Sequence, residues 1–544
     1  MISYYEIFKE KVLKKCQKPS RYTGLELNII KKDWNQTKVK WGLLFPDLYE
    51  IGASNLGIGT LYNIINKNNI SLCERFFFPA EDAIRIMSDE KIPPLSMESK
   101  KEPKSFHILG ITLPYELTLT NILKFLDLSG IKIYSKERID LPIIIGGGAL
   151  AFNPLPIKDF FDLFVIGDGE ELVTQLTNTL IDVNFNKEKF LIEASKIEGV
   201  YVPSIHDINK VKIKKAIVKD LNKYESSPNI VPVIETTFNR YSIEIARGCL
   251  RGCRFCFAGY TQRPYRERDL KTIYESFCNG IENTGFDEFS PSSLSTSDYS
   301  RFPELFNCLY HLSIEKKASI SFPSLRVGTI KSDIAEKIKE IRKTGFTIAP
   351  ESFPSMQKKI NKNIDFATLE KDILNALTEG WLNIKLYFMI GIPDEDFSEI
   401  YELKKFLKDI IYKSKNNKAN ITISFSTFVP KPHTPLQWEK MNSLTEIIEK
   451  QKILKDLFFK EKKIFLKLHN PYMSILEGVI SRGDESLNKI IEKACENGAV
   501  LSAWDEKFNF THWQNAFTNY DIDYQMFINQ RSLNENLPWD FIDT

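Results

Sequence analysis

No apolar stretch of this chain reaches the ~20 residues that a membrane-spanning helix needs. The opening MISYYEIFKEKVLKK is charged and amphipathic, without the apolar core and small-residue cleavage site of a secretory signal. Those two absences point to a cytoplasmic protein with no membrane partner. A surplus of charge is missing too: 73 Lys and Arg stand against 71 Asp and Glu, a net +2. That leaves no global electrostatic case for nucleic acid or lipid binding. The basic runs at 210–219 and 460–467 read as solvated faces. The composition, 43% hydrophobic and 26% charged, is that of a folded chain and excludes wholesale disorder. At 544 residues the chain is too long for one ordinary core, and ~150 residues per domain suggests about three.

A reducing compartment keeps thiols free, so clustered cysteines become candidates for metal binding instead of disulfides. Of eight cysteines, Cys16, Cys73, Cys278, Cys308 and Cys495 are scattered and read as small buried hydrophobes. Cys249, Cys253 and Cys256 stand together as C-x3-C-x2-C, with the aromatic Phe255 before the last. A structural zinc site needs four closed ligands, and this segment offers no fourth Cys or His. A fully ligated iron–sulfur cluster also wants four thiolates. Three thiolates in one loop leave a fourth iron open, which the amino and carboxylate groups of S-adenosylmethionine (SAM) can chelate. The motif, with the strand-like Ser242–Ala246 running into it, resembles the defining signature of radical SAM enzymes. The resemblance implies a [4Fe-4S] cluster on those three cysteines, SAM as cosubstrate and an external electron donor of flavodoxin or ferredoxin type.

The following two hundred residues supply a scaffold. Strand-like segments recur at Tyr241–Ala246, Asp287–Ser290, Ser319–Leu325, Phe346–Ala349, Asn383–Ile390 and Ile421–Phe428. Helical patterns fill the gaps; Ile330, Ile334, Ile338 and Ile341 fall on one helical face. Alternating strands and helices predict a parallel sheet, here a partial (βα)6 TIM-type barrel with its chemistry at the carboxyl ends of the strands. Ser293 and Ser295 end the second strand where radical SAM relatives hold the amino group of SAM, although the usual Gly-Gly-Glu is absent. Arg326 after the third strand resembles a residue supporting ribose or carboxylate, and Glu351 ends the fourth. Gly391 and Pro393 resemble the adenine-side motif of that superfamily, with Phe255 also expected against SAM. His433, after the sixth strand, is a catalytic or substrate-contact candidate. The bland readings stay open: helix caps for the serines, a turn for Gly391–Pro393 and a structural hydrogen bond for His433.

Residues 40–200 read as a second, Rossmann-like α/β domain. Its strands are predicted at Trp41–Asp47, His107–Leu113, Pro142–Gly148 and Leu163–Gly169, with a helix over Ala53–Asn66. Asp47-x-Tyr49-x-x-Gly52, the strand end at Thr112, and Gly146-Gly147 resemble a cobalamin-binding fold. That fold's first motif carries His as the lower ligand of cobalt, whereas this chain has Tyr49. A protonated phenol is a poor cobalt ligand. Cobalamin therefore binds without a protein lower ligand, or the domain has lost it.

Longer motifs, from Arg21–Asn28 and Phe45–Glu50 to Gly167–Glu171 and Phe428–Pro435, resemble a poorly characterised family of cobalamin-domain-like radical SAM proteins. In many members a second module follows the radical SAM part, whose end would lie near Thr544. The division so expected is an extension (1–39), the cobalamin-binding-like domain (40–200), a linker (201–234), the radical SAM core (235–461) and a small α-rich C-terminal segment (462–544) capping the barrel. That segment holds a predicted helix at Asp484–Asn497, and its aromatics, Trp504, Trp513 and Trp539 among them, read as core. The function implied is reductive SAM cleavage and hydrogen abstraction, with methyl transfer if cobalamin binds and an RNA or protein substrate by analogy. An iron–sulfur sensor or scaffold is the non-catalytic alternative. A tRNA methylthiolation enzyme would need a second cysteine triad in the first domain, which has only Cys73, with Cys16 ahead of it.

Overall fold

The structure, a computed structural model, describes residues 4–225, 229–323, 326–329, 337, 346–414, 416 and 418–544. The expected helix through Ile330, Ile334, Ile338 and Ile341 lies outside the described residues. No described helix is long and apolar enough to cross a membrane. The chain divides into two compact units. The first comprises Met1–Asn239, Gly483–Asp523 and Asn536–Thr544; the second comprises Arg240–Arg482 and Tyr524–Glu535. The segment 462–544, read from the sequence as one cap on the barrel, is thus divided between the two.

The first unit is built on a six-stranded sheet in the order β2-β1-β3-β4-β5-β6. Its strands are β1 (Val39–Phe45), β2 (Ser71–Phe77), β3 (Ile108–Thr112), β4 (Ile143–Gly147), β5 (Leu163–Val165) and β6 (Val200–Tyr201). All neighbours pair in parallel except β5 with β6. A central parallel strand is covered on both faces, and β1, VKWGLLF, is apolar and buried along nearly all its length. The connection from β1 leads one way to β2, and the next strand, β3, lies on β1's other side. That reversal makes a switch point, and ligands of open α/β sheets bind outside the carboxyl ends of the strands there. The helix Leu56–Lys67 starts where the Asn55 side chain accepts the Ile58 N–H. Late in the chain, Leu487–Glu496 and Phe510–Asn519 are helical. Trp513, Phe517, Trp539 and Phe541 are all buried, so these aromatics are core. The short strand β7 (Ile213–Lys214) pairs with the last, β17 (Ile542–Asp543).

The second unit is a wall of parallel strands in chain order. One sheet joins β8 (Tyr241–Glu244), β11 (Glu288–Ser292) and β12 (Ser319–Ile320). The other joins β13 (Phe346–Glu351), β14 (Asn383–Ile390), β15 (Asn420–Thr427) and β16 (Ile464–Leu468). Between β8 and β11, β9 (Ala246–Arg247) and β10 (Arg266–Glu267) form an antiparallel pair. The six expected strands are present, and β16 is a seventh, lying where the sequence suggested a solvated basic run. Its exposed positions, Phe465 and Lys467, alternate with buried Ile464 and the partly buried Leu466 and Leu468, as befits the outermost strand of a sheet. One apolar core runs from Tyr241 to Ile464, including Ile243, Phe289, Leu386 and Phe425.

Candidate active site

The cysteine loop leaves β9 and returns through β10, so its base is pinned by the pairing of Arg247 with Arg266. Gly248, at φ +87°, makes the first bend; a Cβ there would stand 2.7 Å from the Pro264 carbonyl oxygen. Cys249, Cys253 and Cys256 are free, partly exposed thiols. They are close enough for each other's charge to matter: ionised Cys249 would raise the Cys253 and Cys256 thiols. Burial is the larger cause, and it pushes both above their ordinary value. Among the described residues no three His, Cys, Asp or Glu side chains converge closely enough for a single metal ion. Thiolates that each take a different iron of a cubic cluster do not have to converge.

The loop after β13 holds the cysteine loop in place. The Arg254 N–H donates to the Ile360 carbonyl at 2.9 Å. The Asn361 amide donates to the carbonyls of Gly252, at 2.9 Å, and Arg251, at 3.3 Å. The Tyr260 hydroxyl also donates to the Gly252 carbonyl. Phe255 packs against Met356, Ile360, Met389, Ile392, Phe428 and Leu436. This closes the apolar side of the loop with residues from the ends of several strands.

Charged groups ring the thiols. Lys362 Nζ is 3.3 Å from Glu351 Oε1, and its charge lowers both the Cys253 and Cys256 thiols. Burial raises the Glu351 carboxyl, opposed by Lys362. Glu351 sits at φ +69°, an uncommon backbone for a residue with a side chain, at the carboxyl end of its strand. Arg251 forks onto Asp298, with Nε 2.7 Å from Oδ2. Arg326 lies within electrostatic reach of Cys253 and Asp298, and its guanidinium donates to the Lys362 carbonyl at 3.4 Å. The cysteines therefore share one end of the unit with Arg251, Asp298, Arg326, Glu351 and Lys362.

The other residues singled out by sequence are placed as follows. Ser293 donates to the Thr296 hydroxyl at 3.3 Å, and Ser295 is a buried hydroxyl beside Asp298. Gly391, at φ +85°, donates its N–H to Glu395 at 2.7 Å, and a Cβ there would lie 2.6 Å from Asn442 Oδ1. Pro393 accepts a bond from Lys359 at 2.7 Å. His433 has φ +60° on the loop after β15, where Gln437 accepts its backbone N–H. Asn361 and Lys362 carried no signal in the sequence: a polar Lys/Asn stretch reads as ordinary solvated loop.

In the first unit, Asp47, Tyr49, Gly52, Thr112, Gly146 and Gly147 all fall at or just after the carboxyl ends of β1, β3 and β4, and the protein itself engages them. Asp47, 5% exposed, accepts from the Leu48 N–H at 2.7 Å and from the Trp504 indole at 2.8 Å. Burial raises its carboxyl pKa. The Tyr49 hydroxyl, buried, donates to Glu26 at 2.7 Å. Glu26 meets Arg75 at 2.5 Å, and Arg75 meets Glu98 at 2.7 Å, all three buried. Burial and the Glu26 charge push the Tyr49 phenol well above its usual range. A Cβ at Gly52 would stand 2.4 Å from Phe77, and one at Gly146 would stand 2.9 Å from both Leu113 and Phe164. Thr112 and Gly147 are register partners, and the Leu113 N–H donates to the Gly147 carbonyl at 2.8 Å.

Residues 243–407, which contain the cysteine loop, match the radical SAM superfamily, and residues 57–203 match the N-terminal domain of radical SAM proteins. The chain belongs to the radical SAM superfamily. The shared cofactors of these enzymes are a [4Fe-4S] cluster and SAM. The chain is 28% identical over 472 residues to an uncharacterised protein of Methanocaldococcus jannaschii, covering 85% of this chain and 92% of that one. It is 25% identical over 244 residues to the ribosomal protein uS12 methylthiotransferase of Caldanaerobacter subterraneus, covering 41% of this chain and 54% of that enzyme. Among solved structures, the radical SAM methyltransferase TsrM of Kitasatospora setae, with cobalamin and [4Fe-4S] cluster bound, is similar in fold. The TM-score is 0.54 at 12% identity, over 76% of this chain and 75% of that one.

Proposed function

We propose that this radical SAM enzyme holds a [4Fe-4S] cluster on Cys249, Cys253 and Cys256 and uses it to activate hydrogen abstraction from a substrate. One observation carries the reading: three thiols within electrostatic reach of one another, on a loop pinned at the strand ends of a parallel barrel, with Lys362 and Arg326 also in reach. Cys249, Cys253 and Cys256 would hold the cluster, and once reduced by an external donor of flavodoxin or ferredoxin type it would supply the one-electron chemistry that cleaves SAM and makes an unreactive C–H bond of the substrate open to hydrogen abstraction. The chain's own residues bind and orient. Lys362 and Arg326 offer cations for the methionine carboxylate, and Glu351 or Asp298 offers an acceptor for its ammonium. Phe255 and its apolar neighbours cover the site and keep water from the reacting centre. Gly391 and Pro393 shape the loop expected beside adenine, and His433 is a partly exposed candidate contact for substrate. A large substrate, RNA or protein, remains a reading by analogy.

Methylthiolation is disfavoured by the first unit's own cysteines. Cys16 and Cys73 are buried and Cys495 partly so, burial raises all three thiols, and among the described residues they do not gather as a ligand group. The deciding experiment is anaerobic reconstitution with iron and sulfide, then SAM and dithionite, with 5′-deoxyadenosine quantified. Wild type is expected to form it, and Cys249→Ala/Cys253→Ala/Cys256→Ala to fall to background. A wild-type cluster that binds SAM and never yields 5′-deoxyadenosine, with cell extract supplied as substrate source, supports the sensor reading instead.

A further inference from the structure

The crevice outside β1 and β3 is where a doubly wound sheet takes its ligand. Here a late segment of the same unit is bonded into it. The Leu501 N–H donates to Asn121 Oδ1 at 2.7 Å, and the Asn121 amide donates to the Pro46 carbonyl at 2.9 Å. Three residues on, the Trp504 indole N–H donates to Asp47 at 2.8 Å. Ala499, Leu501 and Ser502 are 3%, 3% and 2% exposed, and Leu501 takes φ +53° to make the fit. Cys495 and Lys507 tie the flanks, to the Thr120 carbonyl at 3.4 Å and to Glu81 at 2.6 Å.

The space deeper in the sheet is filled as well. Of the two glycines that would give a corrinoid room, Gly146 lies against Leu113, Phe161 and Phe164, none of them more than 1% exposed, and Gly147 lies against Val165. Tyr49, at the position of a lower ligand, points its hydroxyl at buried Glu26. Turning it toward a cobalt would strand that carboxylate with one partner fewer. The residues present do not fit a corrinoid.

We propose that Ala499–Trp504 is the built-in occupant of the switch-point crevice, and that the first domain works without cobalamin. The inference stands apart from SAM cleavage, because 5′-deoxyadenosine is measured separately and neither result decides the other. The test uses the wild-type, cluster-loaded chain incubated anaerobically with hydroxocobalamin. Corrinoid retained after desalting is quantified by absorbance, and amide hydrogen exchange is followed at Leu501 with and without the corrinoid. Expected are retention no greater than by a non-binding control protein and an unchanged, slowly exchanging Leu501 amide. Retention of about one corrinoid per chain, or loss of Leu501 protection on adding it, would overturn the proposal.

Discussion

At the carboxyl end of β1, Asp47 and Tyr49 are buried and bonded to Trp504 and Glu26. At the carboxyl end of β13, Glu351 is partly exposed and faces Lys362 beside three thiols. Both are polar residues at the ends of parallel strands, the position where α/β proteins put their chemistry. The difference lies in what surrounds them. In the first unit every candidate has a partner or a packing role inside the protein, so the strand-end residues serve the fold. In the second the charges gather around the three thiols proposed to hold the cluster. Location on the fold nominates a residue; partners and burial decide its use.

Arg75 tests the structural half of this contrast with the largest effect. It is the cation between buried Glu26 and Glu98. Arg75→Met leaves two buried carboxylates without it, a loss of about 3–5 kcal/mol. For a domain of this size that is a fall of about 10 °C in melting temperature, read by calorimetry. An unchanged melting temperature would show the network to be dispensable and would break the comparison.

The same network explains what the sequence concealed. β2, SLCERFF, carries no strand signal of its own, because Glu74 and Arg75 interrupt its apolar pattern. Their partners Glu26, Ser96 and Glu98 lie about two dozen to four dozen residues away, and no window pattern pairs them. β16 was hidden by Lys467 and by the lysines that precede the strand. β14, NIKLYFMI, was legible to the residue, because Ile384, Leu386 and Phe388 alternate with more exposed positions before the strand closes on buried Met389 and Ile390. The cysteine triad was legible because its chemistry is local: three ligands and their spacing fit in eight residues. The supports of that triad, Asn361 and Lys362, sit over a hundred residues further on, and Trp504 meets Asp47 across 457 positions. Such contacts are made by topology, and side-chain type alone does not announce them.

Lys362 sharpens the other half. With its ammonium between Glu351 and the thiols, Lys362→Met is expected to raise the SAM dissociation constant about tenfold, a change of about 1.4 kcal/mol. Lys362→Arg should restore most of the affinity. Equilibrium dialysis against cluster-loaded protein measures it, with the melting temperature expected to move by only about 2 °C. A large loss of stability with unchanged SAM affinity would put Lys362 in the same class as Arg75, and the two units would no longer differ in kind.

His107 supplies the smallest and most specific effect. It lies just before β3, at the amino end of the strand, away from any ligand-binding edge. Its Nδ1 accepts the Lys40 backbone N–H at 3.2 Å, so the folded state requires that nitrogen unprotonated. Burial first, and then the Lys40 charge, lowers its pKa from 6.5 to about 4. Below pH 6.5 the unfolded chain takes up a proton that the folded chain refuses, so stability falls as the pH drops from 6.5 toward 4 and is level above 6.5. After allowance for partial exposure, the loss by pH 4 is about 1–2 kcal/mol. His107→Gln, which keeps an acceptor and does not titrate, should flatten that part of the urea-midpoint profile. If the wild-type and variant profiles fall in parallel, the slope belongs to the buried carboxylates instead. A flattened profile with unchanged SAM cleavage at neutral pH would assign the titration to the fold, as its place at the amino end of the sheet requires.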